Sequence, residues 1–269
     1  MGMSEARVPD RWERGDAYEQ YIGRWSRRVA VAFLEWLGEP ADRRWVDVGC
    51  GTGALSAAIL DNCSPGSVIA VEPSDGFRTV AAAALGSRAT VLAGTADALP
   101  LPDRSADVLV SGLVLNFVAD VPAALAEQRR VAHPGATIGA YVWDYAEGMQ
   151  LIKTFWDAVA ELDPGDAGLA EGARFPICSP VALASAFENA ALPNADVTAI
   201  EIPTVFANFD DYWQPFLGGQ GPGPAYAMSL TARDRMRLGG LLRSRLPAAA
   251  DGTIALTARA WAVRASVTA

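Results

Sequence analysis

Short apolar strands alternate with helical segments from Trp45 to Trp143, and this alternation constrains the fold more than any other feature of the chain. The pattern predicts strands at 45–48, 67–71, 90–92, 106–111 and 137–143, with helices at 54–60, 77–85 and 121–131. Repeated strand–helix units build a parallel sheet that is covered by helices. The segment 106–111 is almost entirely apolar, as expected of a strand buried on both faces. We therefore predict an α/β fold.

The regular rhythm stops after Trp143 and resumes in a different form. Helices are predicted at 18–37, 149–162, 180–189 and 231–246, and two further strands at 196–206 and 252–264. The connection 208–250 is too long for an ordinary loop, which indicates a lid or a substrate wall. The predicted organisation is a helical cap at 1–40, a ligand-binding core at 41–145 and a remainder at 146–269, with lid insertions at about 146–180 and 208–250.

Composition excludes several classes of protein. The formal net charge of the 269 residues is −9 and no dense basic run is present, so we expect no nucleic-acid partner. Three scattered cysteines indicate neither a disulfide framework nor a metal site. Met1–Asp10 has no apolar leader and no apolar run reaches spanning length, so we expect a cytoplasmic protein without a membrane partner.

The strongest local motif is the segment from Val46 to Gly53, which reads V-D-V-G-C-G-T-G. Glycines directly after a first strand allow a tight turn and let the backbone approach a ligand at the start of the next helix. Gly49, Gly51 and Ala54 also satisfy the dinucleotide pattern G-x-G-x-x-G/A, which alone is a weak signal.

Two carboxylates extend this motif. Glu72 ends the second strand about 20 residues on, where an acidic side chain can accept hydrogen bonds from both hydroxyls of a ribose. Asp47 lies inside the first strand, two residues before Gly49, where a nicotinamide site is usually apolar. An acidic group there suits a ligand that carries ammonium and sulfonium charges. NAD and S-adenosylmethionine (SAM) both remain as candidate cofactors, and Asp47 favours SAM.

Five segments in order resemble the motifs of the class I SAM-dependent methyltransferases, particularly the ubiquinone/menaquinone-type bacterial group. They are 46–53, 69–74, 94–102, 107–120 and 130–135. The resemblance implies a Rossmann-like sheet of seven strands, mostly parallel with an antiparallel last strand, with helices on both faces and helical lid insertions. It also implies that SAM is the cofactor and S-adenosylhomocysteine (SAH) the product.

The resemblance assigns cofactor contacts residue by residue. Gly49, Gly51 and Gly53 would lie under the methionine and ribose parts of SAM, and Glu72 would hold the ribose. The remaining contacts would be Pro73 beside the adenine, the Ala96 N–H on the adenine ring, and Gly112 facing the methionine amino group. The chain departs from the family at Thr95, where the family usually has Asp, so that either Thr95 or Asp97 would accept from the adenine amino group.

Catalytic candidates come from the carboxyl edge of the predicted sheet, where ligands bind in open α/β folds. Asp144 and Tyr145 directly follow the fifth strand, and Asn116 stands where relatives often have His. The only histidine, His133, lies in the turn before the fifth strand, so no histidine base is expected. Asp144 could be a general base, or it could cap the next segment.

Further candidates come from the two ends of the chain. Arg24 could reach the methionine carboxylate, with Tyr21 also closing over SAM, although an ordinary amphipathic helix would read the same way. An aromatic stripe next to a glycine loop suggests a substrate wall, although such stripes are more often core. The stripe consists of Phe206, Phe209, Tyr212, Trp213 and Phe216. The predicted substrate contacts are Trp143, Phe209, Trp213, Phe216 and Gln220.

The sequence therefore predicts an enzyme that transfers a methyl group to a C, N or O atom of a small molecule, apolar or aromatic in character. Two alternatives stay open at this point, an NAD-dependent oxidoreductase and a SAM-binding protein that acts as a scaffold or cyclase without methyl transfer. No metal is predicted, and a homodimer is left open.

Overall fold

A single seven-stranded sheet with the strand order β3-β2-β1-β4-β5-β7-β6 organises the fold. The structure is a computed structural model and describes residues 19–219 and 221–268. The strands are β1 Arg44–Val48, β2 Ser67–Val71, β3 Thr90–Leu92, β4 Ala106–Gly112, β5 Ala132–Trp143, β6 Asp196–Phe206 and β7 Ile254–Ser266. Strands β1 to β5 pair in parallel, and β7 pairs antiparallel to β5, which confirms the predicted sheet.

Helices connect the strands and surround the sheet. They are α1 Arg24–Leu37, α2 Ala54–Asn62, α3 Asp75–Leu85, α4 Val121–Val131, α5 Gln150–Leu162, α6 Glu171–Arg174, α7 Pro180–Asn189, α8 Phe209–Trp213, α9 Pro222–Ser229 and α10 Ala232–Arg245. A π-helical turn, Glu19–Gly23, precedes α1. The predicted start of the first helix at Tyr18 lies outside the described residues. None of the helices in the described part of the chain has the length and apolarity needed to cross a membrane.

Side chains that cap the helices explain why they begin where they do. The Ser74 hydroxyl accepts from the Phe77 N–H at the start of α3, and the Asp120 carboxylate accepts from the Ala123 N–H at the start of α4. Both residues are types that favour this position, because their side chains satisfy N–H groups that a helix leaves without partners. Pro122 follows in the first turn of α4, where it needs no N–H donor.

Helix α1 packs on the sheet through a glycine of β5. A Cβ atom at Gly139 would lie 3.1 Å from both Phe33 and Leu37, so the missing side chain lets the helix approach closely. The Arg264 guanidinium of β7 donates to the carbonyl oxygens of Trp36 (2.8 Å) and Leu37 (3.0 Å) at the carboxyl end of α1. That end is therefore held by a charge of favourable sign.

The structure differs from the sequence prediction in three segments. The turn predicted at 133–135 lies within β5, where the pairing with β4 shifts register between Ala106 and Val108. The loop predicted at 163–179 contains a 3-10 turn, Pro164–Leu169, and the four-residue helix α6. The segment before α10 contains α8 and α9, because Asn208 caps α8 and Pro222 begins α9.

The chain divides into two compact units. The first, as far as it is described, comprises residues 19–22, Tyr145–Phe175 and Pro203–Ala258. The second comprises Gly23–Asp144, Pro176–Ile202 and the described residues from Arg259 onward, and it contains β1 to β5. The glycine motif and Glu72 belong to the second unit, whereas the aromatic stripe belongs to the first.

Candidate cofactor site

The loop between β1 and α2 is a glycine turn whose backbone conformation other residues rarely adopt. Gly49, Gly51 and Gly53 have φ angles of +76°, +55° and +90°. The N–H groups of Gly49 and Cys50 donate to the Val71 carbonyl at 2.8 and 3.1 Å, which ties the loop to the end of β2. No atom lies within 4 Å of a Cβ built on Gly51, so the loop faces open space there.

Glu72 stands at the end of β2 with its carboxylate fixed by backbone donors. One carboxylate oxygen accepts from the Gly51 N–H at 3.0 Å, and the other accepts from the Ser74 N–H at 3.0 Å. The side chain is buried, with 6% of its surface exposed. Each oxygen keeps a further lone pair, so the group can accept two more hydrogen bonds from a ligand. The sequence did not single out Ser74, although its place after Glu72 in a cap position was a usable signal.

Asp47 lies in β1, next to this loop, and is almost completely buried at 1% exposure. Its Oδ2 atom accepts from the Ser56 hydroxyl of α2 at 2.6 Å. Its Oδ1 atom is also buried, and it has no hydrogen-bond partner among the described residues. Burial raises the pKa of Asp47 to about 7, although the Ser56 hydrogen bonds oppose the shift. The site thus contains a buried carboxylate with one oxygen atom, Oδ1, that has no donor among the described residues.

The residues predicted to surround the adenine form a turn after β3. The Ala98 N–H donates to the Thr95 carbonyl at 3.2 Å, and Thr95 and Asp97 are exposed while Ala96 is half-buried. A Cβ atom at Gly94 would lie 2.8 Å from Val71, so this turn packs against the end of β2. Pro73 is exposed directly after Glu72. Their contacts with adenine stay predictions.

The segment after β4 borders the glycine loop from the other side. A Cβ atom at Gly49 would lie 2.7 Å from Val114, and one at Gly112 would lie 2.5 Å from the Tyr141 hydroxyl. Leu113 has a φ of +62°, which is strained for a bulky side chain. The amide nitrogen and oxygen of Asn116 are both buried and have no partner among the described residues.

Asp144, directly after β5, is paired with an arginine side chain. Its Oδ2 atom accepts from Nε (2.8 Å) and Nη2 (2.7 Å) of Arg259, which lies on β7. The Arg259 guanidinium thus occupies this carboxylate oxygen with two hydrogen bonds. The pairing therefore argues against the predicted base role and favours a structural one. Trp143 is fully buried at 1% exposure, so its predicted substrate contact would need a rearrangement of the side chain.

The aromatic stripe forms part of the core of the first unit. Phe216 is 0% exposed, stacks on Phe155 with ring centroids 4.4 Å apart, and receives the edge of Tyr21 at 5.1 Å. Phe209 and Trp213 are half-buried, and the Arg243 guanidinium lies 4.0 Å over the Phe209 ring. The packing favours the core interpretation for Phe216 and leaves exposed ring surface only at the other two. Gln220 lies outside the described residues.

Tyr21 and Arg24 are three residues apart in the sequence but belong to different units. Tyr21 is 1% exposed, and burial raises the pKa of its hydroxyl, with Glu171 adding to the shift. The Arg24 guanidinium lies 4.5 Å over the ring of Trp25. Their predicted roles in closing over a cofactor stay predictions.

The first unit contains a cavity of about 250 Å³, and Tyr145 is one of the residues that line it. Trp156 and the ion pair of Lys153 with Asp157 (2.9 Å) line it, together with small residues of the α6 region. The Trp156 indole N–H donates to the buried Glu171 carboxylate, which fixes the ring. Among the described residues, no group of three or more His, Cys, Asp and Glu side chains could hold a metal ion.

Comparisons with known proteins find similarity to methyltransferases. Residues 46–139 match the family described as "Methyltransferase domain". An uncharacterized methyltransferase of Mycobacterium tuberculosis is 35% identical over 111 residues, which are 41% of this chain and 44% of that relative. The chain therefore spans less than half the length of this curated relative.

Solved structures share the fold at low sequence identity. A putative type II methyltransferase from Anaeromyxobacter dehalogenans has a TM-score of 0.60 and 23% identity, covering 88% of this chain and 96% of that one. Phosphoethanolamine N-methyltransferase 2 of Haemonchus contortus in complex with SAM has a TM-score of 0.59 and 16% identity, covering 100% and 61%. Residues 46–139 of this chain therefore match a methyltransferase domain, within a fold that the chain shares with solved methyltransferase structures.

Proposed function

We propose that this protein is a SAM-dependent methyltransferase that acts on a small molecule, and that the glycine loop, Glu72 and Asp47 hold the cofactor. One observation carries the proposal: the Glu72 carboxylate is buried and oriented by two backbone N–H groups, with unused lone pairs on both oxygens. A ribose diol offers the two donors that such an acceptor requires. The SAM complex of the similar phosphoethanolamine methyltransferase structure supports the same cofactor.

The other side chains of the site fit the rest of SAM. The partnerless Oδ1 atom of Asp47 suits a positively charged amino group, because a buried carboxylate is stabilised by an opposite charge. The open space in front of Gly51 leaves room for the ligand backbone to approach. When bound, SAM supplies a methyl group activated by its sulfonium centre.

Positioning and electrostatics are the contributions that this chain can make to the reaction. Asp144 is engaged by Arg259, and His133 is exposed near the amino-terminal end of β5. We therefore propose that Asn116 orients the acceptor and removes no proton from it, and the predicted role of Tyr145 stays a prediction. The acceptor atom would be C, N or O in a small, apolar or aromatic molecule.

We further propose that the protein works in the cytoplasm. Cys50, Cys63 and Cys178 are all free thiols, and Cys50 and Cys178 are buried. Reduced cysteines are typical of a reducing compartment.

Calorimetric titration tests the cofactor assignment. We expect the wild-type protein to bind SAM and SAH, and Glu72→Ala to weaken both by about a hundredfold, because two hydrogen bonds to a charged group are lost. Glu72→Gln retains one carbonyl acceptor and should lie between them. Glu188→Ala removes an exposed carboxylate from α7 and should bind as the wild type does.

Three outcomes would contradict this proposal. Binding of NAD(H) without SAM or SAH would favour the oxidoreductase alternative. Equal SAH affinity in Glu72→Ala and wild type would remove Glu72 from the site. Catalysis by the SAH-bound protein would favour the alternative without methyl transfer.

A further inference from the structure

Asn116 stands out because both polar atoms of its side chain are buried and neither has a partner among the described residues. A buried amide without hydrogen bonds is costly, and native structures contain few of them. The residue lies in the 3-10 turn Leu115–Phe117 after β4, in the same segment whose Val114 packs over Gly49 of the cofactor loop. The unsatisfied amide is therefore two residues along the chain from a side chain that borders the candidate cofactor site.

Two neighbours show that this segment is specialised rather than loosely packed. Leu113 holds a left-handed φ of +62° while its N–H donates to the Tyr141 carbonyl at 2.7 Å. Backbone strain of this kind persists where the surrounding structure enforces it, and it is concentrated at functional sites. Phe117, directly after Asn116 in the chain, is a large apolar residue that exposes 46% of its surface.

The chemistry of the amide indicates the kind of group that would satisfy it. A carboxamide offers donors on nitrogen and an acceptor on oxygen, so its best partner also has a donor and an acceptor side by side. The group should be uncharged, because a buried neutral amide compensates poorly for the desolvation of an ion. An aromatic ring attached to it could stack on Phe117.

We propose that Asn116 and Phe117 form a recognition site for an acceptor with a neutral amide-type group on an aromatic or apolar ring. This inference rests on the proposed function, since it names the acceptor class of the same site. It assigns Asn116 to substrate specificity and gives Phe117 the role of a stacking surface.

The experiment uses the SAH-saturated full chain and three probes that share a phenyl ring. Benzamide has both a donor and an acceptor, acetophenone has the acceptor alone, and benzoate is charged. We expect binding to be tightest for benzamide, and Asn116→Leu to lower its affinity about tenfold, to the level of acetophenone. Phe117→Ala removes an exposed ring, so it should fold normally and weaken benzamide and acetophenone alike.

Thermal unfolding gives a second readout that does not depend on a ligand. Asn116→Leu replaces an unsatisfied buried amide with an apolar side chain of similar size, so the ligand-free variant should unfold about 2–4 °C higher than the wild type. The control Asn189→Leu changes an exposed asparagine at the end of α7. It should leave benzamide binding unchanged and should not raise the unfolding temperature.

The outcomes separate this inference from the proposed function. If SAH binds but the wild type shows no preference for benzamide, or binds no probe, the acceptor class is wrong while the cofactor assignment stands. Unchanged benzamide affinity in Asn116→Leu would likewise overturn it. Failure of the wild type to bind SAH would instead refute the proposed function.

Discussion

Asp47 is a residue whose burial conflicts with its charge. Its carboxylate is 1% exposed and has one hydroxyl donor, Ser56, so the ionised form lacks the cationic partner that buried charges usually have. A residue that destabilises the ligand-free protein in this way is expected where a ligand supplies the missing charge. The same arrangement makes the stability of the protein depend on pH.

The sign of that dependence follows from the raised pKa. Burial raises the pKa of Asp47 from 3.8 to about 7, so the folded protein holds this proton more tightly than the unfolded chain does. The protonated Asp47 carboxyl therefore contributes its full stabilisation of the folded protein below pH 4. This contribution declines as pH rises from about 4 to 7 and is lost above 7. Asp47→Asn should therefore be more stable than wild type at pH 8, by roughly 3 kcal/mol, and similar to it at pH 4.

Urea unfolding of wild type and Asp47→Asn at the two pH values measures this difference. Glu188→Gln, an exposed carboxylate on α7, should show no such dependence on pH. The same Asp47→Asn variant should bind SAM more weakly at pH 8, because the negative charge that faces the amino group is gone. An equal stability difference at both pH values would contradict the proposed ionisation.

The sequence identified Asp47, Glu72 and the glycines because each belongs to a local motif between Val46 and Glu72. It did not identify the partner of Asp144, since Arg259 lies 115 residues further along the chain. Pairing across that distance depends on how β7 inserts beside β5, and spacing in the sequence carries no information about it. The sequence also could not show that the Asn116 amide lacks hydrogen-bond partners, because this depends on how the side chains pack.

At the scale of elements, the glycine loop combines two different requirements. Gly49 has a positive φ, and a Cβ atom there would lie 2.7 Å from Val114; Gly51 has a positive φ but open space in front of it. Gly49→Ala should therefore cost about 3 kcal/mol in the free energy of unfolding, and Gly51→Ala about 1 kcal/mol.

Denaturant titration of the two variants tests this difference. Gly240→Ala is the control, because Gly240 lies in α10 with no atom near its Cβ position and should become slightly more stable. SAM affinity should instead fall more in Gly51→Ala than in Gly49→Ala, because the added methyl group of Gly51→Ala enters the space left for the ligand. Equal losses of stability at positions 49 and 51 would contradict the predicted contact with Val114.

The ion pair of Asp144 with Arg259 joins β5 to β7. Asp144 is 3% exposed, so Arg259→Met would remove the arginine partner of a buried carboxylate and should cost about 3 kcal/mol of stability. Adding Asp144→Asn should restore most of this loss, and a double-mutant cycle by urea unfolding gives the coupling energy.

An exposed pair provides the matched control for that cycle. Arg88 and Asp61 have side chains that are 51% and 60% exposed, so Arg88→Met should change stability little. Comparable effects of Arg259→Met and Arg88→Met would show that burial of Asp144 contributes nothing to the pair.

At the scale of the whole molecule, the two units differ in how far the sequence predicted them. The second unit repeats strand–helix motifs whose hydrophobic periods are read locally, and the sheet follows the prediction closely. The first unit is assembled from three separate stretches of the chain, and its aromatic stripe packs as core at Phe216. Periodicity could not separate a core ring from a ring that faces a ligand.

Lys153 is the only lysine of the sequence, and it lies at the rim of the cavity in the first unit. Its amine is held by Asp157 yet keeps 30% of the side chain exposed. An amine-directed fluorophore used after the α-amino group has been blocked would therefore attach to a single side chain of the protein, about one helical turn from the Trp156 indole. Quenching between dye and indole would then report directly on whether a molecule has entered that cavity.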